Sequence, residues 1–292
     1  MNPSTISTDR GMQMAMHAWW PLAAGWAALL LPTAYRFSQS VWQSGEQSFG
    51  PFVLAVALFL FWRQREAFAQ AQRPDSGFPG WLAIGAGLLM YAFGVLSKIA
   101  VIEGGAHLPI VVGILWLIGG QGLLRRLWFP LLYLVLVVPI PSYLMAGLTG
   151  GLKQFVSQAA EALLYGLGYP IGRDGVTVRI GPYQLLVADA CSGMNSILSL
   201  TAVGLLFIHL VRPPRIWQTA VLVASILPIA VIANVIRVIA LILITYYLGD
   251  EAGQGFLHEF AGLLMFVVAV AVLVGIDGGI RRFGPVQERA NG

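Results

Sequence analysis

Residues 216–248 form an apolar run that carries a single charged side chain, Arg237. A run of this length can cross a bilayer, because about 20 helical residues span the hydrocarbon core. Similar stretches recur along the chain, in which hydrophobic residues make up 58% and charged residues only 10% of the total. Soluble domains carry about a quarter charged residues. The sequence therefore predicts an all-α polytopic membrane protein, since helices satisfy their own backbone polar groups.

The hydropathy pattern predicts about eight membrane spans. They lie at 19–35, 49–62, 81–97, 108–120, 127–144, 191–211, 216–248 and 257–276. Pro228 is expected to kink or break the seventh span. The first stretch lacks a small-residue cleavage site, so we interpret it as a retained span rather than a signal peptide. We treat 1–292 as one transmembrane domain with short tails at 1–18 and 283–292.

The positions of Lys and Arg predict the orientation of the bundle, because cytoplasmic loops carry an excess of these residues. If the N-terminus is cytoplasmic, the opposite side holds only Arg36, Lys98, Lys153, Arg173 and Arg179. We therefore expect both tails in the cytoplasm. Because the basic residues are scattered over loop ends, the net charge of +4 does not indicate a nucleic-acid partner.

The longest segment between spans, 145–190, is predicted to lie outside the cytoplasm. Its first part, "LKQFVSQAAEALLYGLG", places apolar residues such as Phe155 and Leu163 on one helical face and polar residues such as Gln158 on the other. This pattern predicts an amphipathic helix lying at the membrane interface. Its second part, "GVTVRIGPYQLLVA", alternates around a Gly-Pro turn and predicts a short β-hairpin.

The stretch "ADACSGMNSI" contains the only cysteine of the chain, Cys191, at the outer start of the sixth span. A helix N-terminus favours the thiolate form of a cysteine, which is the nucleophilic form. Ser192 and Asn195 add hydrogen-bond donors, and Asp189 is expected to cap the helix. The structural alternative is that Cys191 is a small buried hydrophobic residue.

Two further side chains are candidates for chemistry on the same side of the membrane. Arg237 lies about 16 Å below the outer end of the seventh span if that helix is straight, and Asn234 shares its face. An arginine within a span is costly and usually functional, although a structural ion pair or snorkelling would also explain it. His258 opens the eighth span, where it would act in catalysis or serve only as an interfacial polar residue.

The sequence predicts no metal and no cofactor. A single cysteine excludes a disulfide within the chain and a cysteine-rich metal site. The histidines lack the spacing of metal ligands. Ser192 remains an alternative nucleophile, but no base is better placed for it than for Cys191. A transporter or a non-catalytic assembly component for envelope polymer export also remains open, because a buried arginine and a broken span suit a transporter.

Three motifs in order carry a resemblance to a known family. "ACSGMNS" opens one span, "NVIRV" lies within the next, and "HEFAG" opens the last. Together they resemble the exosortase/archaeosortase family, and "VADACSGMNSI" is most similar to the exosortase B group. The resemblance is strong over about 140–275, and it implies a cysteine peptidase or transpeptidase of the bacterial inner membrane with its active site facing the periplasm.

The resemblance also implies roles and partners. Cys191 would be the nucleophile, Arg237 would stabilise the oxyanion, and His258 would be the general acid and base. Substrates would be exported proteins whose C-terminal sorting tails combine a Pro-Glu-Pro-type motif (PEP-CTERM), one span and a basic cluster. Membrane lipid surrounds such an enzyme, and a polysaccharide or a lipid is a candidate acceptor. With water as acceptor the enzyme would be a plain thiol protease.

Overall fold

The computed structural model describes residues 3–43, 47–71, 74–186, 193–211, 215–249 and 256–283. The chain divides into two compact units, Met1–Pro141 and Ser142–Gly292. Both units are built from helices, and the described strands all belong to one small sheet in the second unit. This arrangement confirms the predicted helical class, while the prediction of one domain over 1–292 stays a prediction.

The first unit contains seven α-helices among its described residues and one short 3₁₀ turn, Val41–Gln43. The helices are α1 (Pro3–Gln39), α2 (Gly50–Arg63), α3 (Arg65–Ala69), α4 (Phe78–Ser97), α5 (Ala100–Gly105), α6 (His107–Arg126) and α7 (Trp128–Val135). Helix α4 packs closely against α5 and α6 because Gly80, Gly87 and Gly94 recur on one buried face. A methyl group at Gly94 would collide with the backbone of Glu103.

An ion pair between the exposed Arg36 and the buried Glu103 joins α1 to α5 in the first unit. The guanidinium of Arg36 donates to Oε1 of Glu103 through Nε at 3.0 Å and through Nη2 at 2.6 Å. Nη2 also donates to the hydroxyl of Tyr91 at 3.1 Å, which ties in α4. Glu103 is only 5% exposed, so its charge depends on these contacts.

The second unit begins with α8 (Ser142–Gly166) and continues through the strands β1 (Ile171–Asp174), β2 (Thr177–Ile180) and β3 (Tyr183–Leu186). Three long helices follow, α9 (Gly193–Val211), α10 (Ile216–Leu248) and α11 (Phe256–Phe283). The strands form an antiparallel meander in the order β1-β2-β3. The hairpin predicted from the alternating pattern is confirmed as β2 and β3, and β1 extends it by a strand that the sequence did not indicate.

The turn between β2 and β3 depends on Gly181. Ile180 pairs with Tyr183, so the loop consists of two residues, Gly181 and Pro182. Gly181 has φ +53°, in the left-handed region. A glycine at the first of two loop positions is typical of a type II′ hairpin, whose twist matches that of the strands. The register of the sheet therefore follows from this one glycine.

The sheet is held against two helices by an apolar core. Val178, Ile180 and Leu185 on its inner face contact residues of α8 and α10, namely Val156, Ala160, Leu164, Val238 and Ile242. Helix α8 thus exists as predicted. Phe155 and Leu163, on its predicted apolar face, are more than half exposed, whereas the sheet covers the neighbouring stripe of Val156, Ala160 and Leu164. The interfacial position of α8 stays a prediction.

Two of the predicted spans differ from the structure. The fifth, 127–144, is wrong as one helix, because α7 ends at Val135 and α8 begins at Ser142. Pro139 and Pro141 lie between them, and proline removes the backbone donor that a continuing helix needs. The seventh span is not broken at Pro228, since α10 runs as one helix of 33 residues through that position.

Four helical segments among the described residues are long and apolar enough to cross a membrane. They are Phe78–Ser97, Ala100–Arg126, Ile216–Leu248 and Leu264–Arg282, and shorter apolar helices occupy Gly50–Arg63 and Ile197–Val211. These helices support a multi-pass membrane protein. The count of eight spans is not confirmed.

We expect Gly181→Ala to destabilise the second unit. An L-residue with this φ costs about 1–2 kcal/mol, and the added carbon would lie 3.2 Å from the Tyr246 ring. Thermal unfolding of the purified protein in detergent should show a lower melting temperature. Gly172→Ala is the matched control, because its added carbon meets nothing within 4 Å and its φ is not positive. Equal melting temperatures for the two variants would contradict the assignment.

Candidate active site

Helix α10 carries the buried charge that the sequence singled out. Arg237 is 6% exposed and Asn234 is 2% exposed, and both lie on the helix face that also presents Ala230. The spacing of 230, 234 and 237 places them on one stripe, because residues three and four apart are neighbours on a helix. The structure therefore confirms that Asn234 and Arg237 share a face, as the sequence predicted.

This stripe faces a small cavity. Its volume is about 20 Å³, which is enough for one water molecule. Leu200 of α9 and Met265, Phe266 and Ala269 of α11 line it together with Ala230, Ala233, Asn234 and Arg237 of α10. Asn234 and Arg237 are the two strongly polar side chains in an otherwise apolar lining. A charge interacts strongly with a ligand in such surroundings, because little water screens it.

Two separate cores hold α10 in place. On one side Val238 and Ile242 pack against α8 and the sheet. On the other side Leu222 and Ile226 pack against residues of α9 and α11, among them Leu200 and Leu273. Because both sides are fixed, the rotation of α10 about its own axis is set by packing. The direction of the Arg237 stripe toward α9 and α11 follows from that rotation.

The predicted outer end of α10 joins the sheet region through tyrosines. The hydroxyls of Tyr169 and Tyr247 are 3.0 Å apart, and the Tyr246 ring packs edge-on against both rings. The helix ends at Leu248. Eleven residues of continuous helix separate this end from Arg237, so the guanidinium-bearing residue lies about 16 Å along the axis from it, as the sequence predicted for a straight helix.

The remaining predicted site residues are only partly located. Asp189, Cys191 and Ser192 lie outside the described residues. Helix α9 begins at Gly193, so the prediction that a helix starts just after Cys191 in the sequence is confirmed. Asn195 and His258 lie in the first turns of α9 and α11. The catalytic roles of these residues stay predictions.

Sequence reasoning missed the apolar partners of Arg237. Leu200, Met265, Phe266 and Ala269 line its cavity, but each lies in a run of apolar residues that could face lipid or protein equally well. The available signal was the spacing of Met265 and Ala269, which lie one helical turn apart and therefore share a face of α11. This spacing does not show whether that face meets α10. Within the described part of the chain, no cluster of three or more His, Cys, Asp or Glu could hold a metal ion.

Comparison with known families identifies the chain. Residues 41–275 match the family model of the transmembrane exosortases. The protein belongs to the transmembrane exosortase family. Exosortases are membrane-embedded sorting transpeptidases, so this membership supports a cysteine transpeptidase that acts on proteins with sorting tails. Searches of the curated proteins and of the solved structures found no match.

The cavity beside Arg237 should not tolerate added bulk. Ala269→Leu places a larger side chain where α11 faces α10, and overpacking of this kind costs about 1–3 kcal/mol. We expect a lower melting temperature for the purified exosortase in detergent. Ala271→Leu makes the same change at an exposed position of α11 and should leave the melting temperature close to that of the wild type. A drop of the same size in both variants would argue against the cavity.

Proposed function

We propose that this exosortase cleaves C-terminal sorting tails of exported proteins and transfers them to an acceptor, with Cys191, Arg237 and His258 as its catalytic residues. The observation that carries the proposal is the burial of Arg237 beside Asn234 in an apolar cavity. Burying a guanidinium in a membrane helix costs free energy, and arginines at such positions are usually functional. Membership of the exosortase family indicates which class of reaction this arginine would serve.

The first half of the reaction forms a thioester. The thiolate of Cys191 attacks the scissile carbonyl carbon, and the carbonyl oxygen takes the negative charge of the tetrahedral intermediate. The guanidinium of Arg237 offers N–H donors in a planar fork to that oxygen. His258 then donates a proton to the leaving amine as the C–N bond breaks. Asn195 and Ser192 are candidates for additional donors.

The second half regenerates the thiol. His258, now neutral, accepts a proton from the acceptor nucleophile while that nucleophile attacks the thioester carbonyl. A polysaccharide or lipid hydroxyl as acceptor gives transpeptidation, in the broad sense of acyl transfer. Water as acceptor gives hydrolysis, and the two outcomes differ by the mass of the released protein. No cofactor takes part.

The position of the site follows from the predicted orientation. We place the protein in the bacterial inner membrane with both termini in the cytoplasm, so that the start of α9 faces the periplasm. The span of the substrate tail inserts beside the bundle and leaves its Pro-Glu-Pro-type motif at the outer surface. Strand β3 leads directly into the segment that contains Cys191, so an extended motif that pairs with β3 would lie close to the nucleophile.

The alternative function, a transporter or an assembly component for envelope polymer export, has lost one of its supports. It rested partly on a span broken at Pro228, as in transporters with discontinuous helices. Helix α10 runs through that position without interruption. The lining of the Arg237 cavity is also largely apolar, which suits a single reacting carbonyl better than a hydrated path.

Cys191→Ala should abolish processing of a tagged protein that ends in a sorting tail, because no thioester can form. Immunoblots of cells with and without the variant would show the unprocessed, larger form. Ser192→Ala removes the neighbouring hydroxyl, a candidate additional donor, but keeps the thiol, so it should still process the tail at a reduced rate. Full processing by the Cys191→Ala chain would refute the mechanism, and loss with Ser192→Ala alone would make the serine the nucleophile.

Arg237→Lys should lower the rate of processing by about 10²–10³-fold, the usual effect of removing an oxyanion donor. The ammonium keeps the charge but cannot reproduce the planar fork. The rate would be measured by pulse labelling of the same substrate. Arg282→Lys, at an exposed position near the end of α11, is the control and should process normally. A normal rate with Arg237→Lys would restrict Arg237 to a structural role.

A further inference from the structure

The two faces of the meander differ in character. Val178, Ile180 and Leu185 are buried on the inner face. The intervening positions point the opposite way, because side chains alternate along a strand. Gly172, Arg179 and Gln184 lie side by side on the outer face, since Arg179 pairs with Gly172 on β1 and with Gln184 on β3. All three residues are exposed.

Arg179 is distinguished from the other arginine of the sheet by its surroundings. The guanidinium of Arg173 donates from Nε to Glu161 at 3.0 Å and from Nη1 to the carbonyl of Gly175 at 2.8 Å. Among the residues that the structure describes, none makes a hydrogen bond or ion pair with the side chain of Arg179. The outer face therefore presents one positive charge that no described residue pairs.

Strand β3 is an edge strand of the described sheet, next to this charge. It pairs with β2 on one side, and no described strand pairs with its other side. In a two-residue hairpin the closing pair, here Ile180 and Tyr183, exchanges the backbone hydrogen bonds. The alternating antiparallel pattern then turns the N–H and C=O of Gln184 away from β2. A peptide that adds to β3 can pair with the backbone of Gln184.

We infer that Arg179 recognises a carboxylate side chain in the substrate segment that pairs with β3. The residue of the peptide opposite Gln184 shares its face of the sheet, and an added strand lies about 10 Å from β2, at two strand spacings. A glutamate and an arginine are long enough to meet across Gln184. The planar guanidinium matches a carboxylate in a bidentate pair. This inference rests on the proposed function.

The chemistry of a Pro-Glu-Pro segment fits this edge. Proline has no N–H and is tolerated in an edge strand only where that group would face away from the ladder. When the glutamate directs its N–H and C=O to Gln184, the nitrogen and the C=O of each flanking proline face away from the sheet, because successive residues alternate. The missing N–H of proline therefore costs no hydrogen bond. The motif can therefore pair through its glutamate alone, which places the carboxylate on the face of Arg179.

A charge-exchange experiment tests the inference by binding rather than by cleavage. The full chain with Cys191→Ala, in lipid nanodiscs, is titrated with fluorescent sorting tails that carry Pro-Glu-Pro, Pro-Gln-Pro or Pro-Lys-Pro and are otherwise identical. The glutamate tail should bind about tenfold more tightly than the glutamine tail, which corresponds to one charge-assisted pair. Arg179→Glu should reverse the order and favour the lysine tail, whereas Arg179→Lys should keep the order with a smaller ratio.

Arg173→Gln is the matched control, because it removes the arginine that the fold already uses. It should change the affinity for all three tails by the same factor. The inference is overturned if the ratio of affinities does not depend on residue 179, or if the Cys191→Ala chain binds none of the tails. The proposed function has a separate readout, which is cleavage of the glutamate tail by the chain with Cys191 intact.

Discussion

A guanidinium kept inside an apolar helix is the constraint on which the second unit depends. Removing a charge from water costs several kcal/mol even after relaxation. The fold must therefore hold the surrounding helices firmly enough to keep the guanidinium in one fixed position. Helix α10 achieves this by packing against the sheet and α8 on one side and against α9 and α11 on the other. Arg237 then points to a defined place rather than toward lipid.

The sheet has its role in the same arrangement. Four-residue strands would be marginal alone, because a small sheet needs an apolar partner for stability. The partners here are α8 and the outer half of α10. The sheet braces the helix that carries Arg237, and the segment that contains Cys191 follows its last strand. One small core thus joins the sheet to the helix that carries Arg237.

Much of this organisation could be predicted from the sequence. The apolar runs predicted helices α4, α6, α9, α10 and α11 and the residues near which they begin, because apolar length is a strong signal. The ends of α6 and α11 were predicted too early, since both helices continue into polar residues beyond the apolar run. The period-2 pattern and Gly181-Pro182 predicted the hairpin. Strand β1 escaped detection since "IGRD" contains one strongly apolar residue. The fifth span was wrong because hydropathy does not register the loss of a backbone donor at Pro139 and Pro141.

The residues of the candidate site could be predicted only in part. Arg237 and Asn234 stood out because polar residues are rare in such a helix, and their shared face followed from spacing alone. Their apolar neighbours could not be predicted in this way. Tertiary packing decides which side of α11 meets α10, and the apolar sequence of α11 does not indicate that side. The proposed role of Arg179 could not be predicted from the sequence either. A charged residue in a loop is ordinary until the register shows which face it occupies and which partners it lacks among the described residues.

The division of the meander into two faces has an evolutionary consequence. Stability resides in Val178, Ile180 and Leu185, whereas Gly172, Arg179 and Gln184 are exposed and contribute little to the core. Mutations on the outer face are therefore nearly neutral for folding. Mutation can therefore introduce new side chains there without disturbing helices α8 and α10 behind the sheet. Such a surface allows an enzyme and its cohort of client proteins to diversify together.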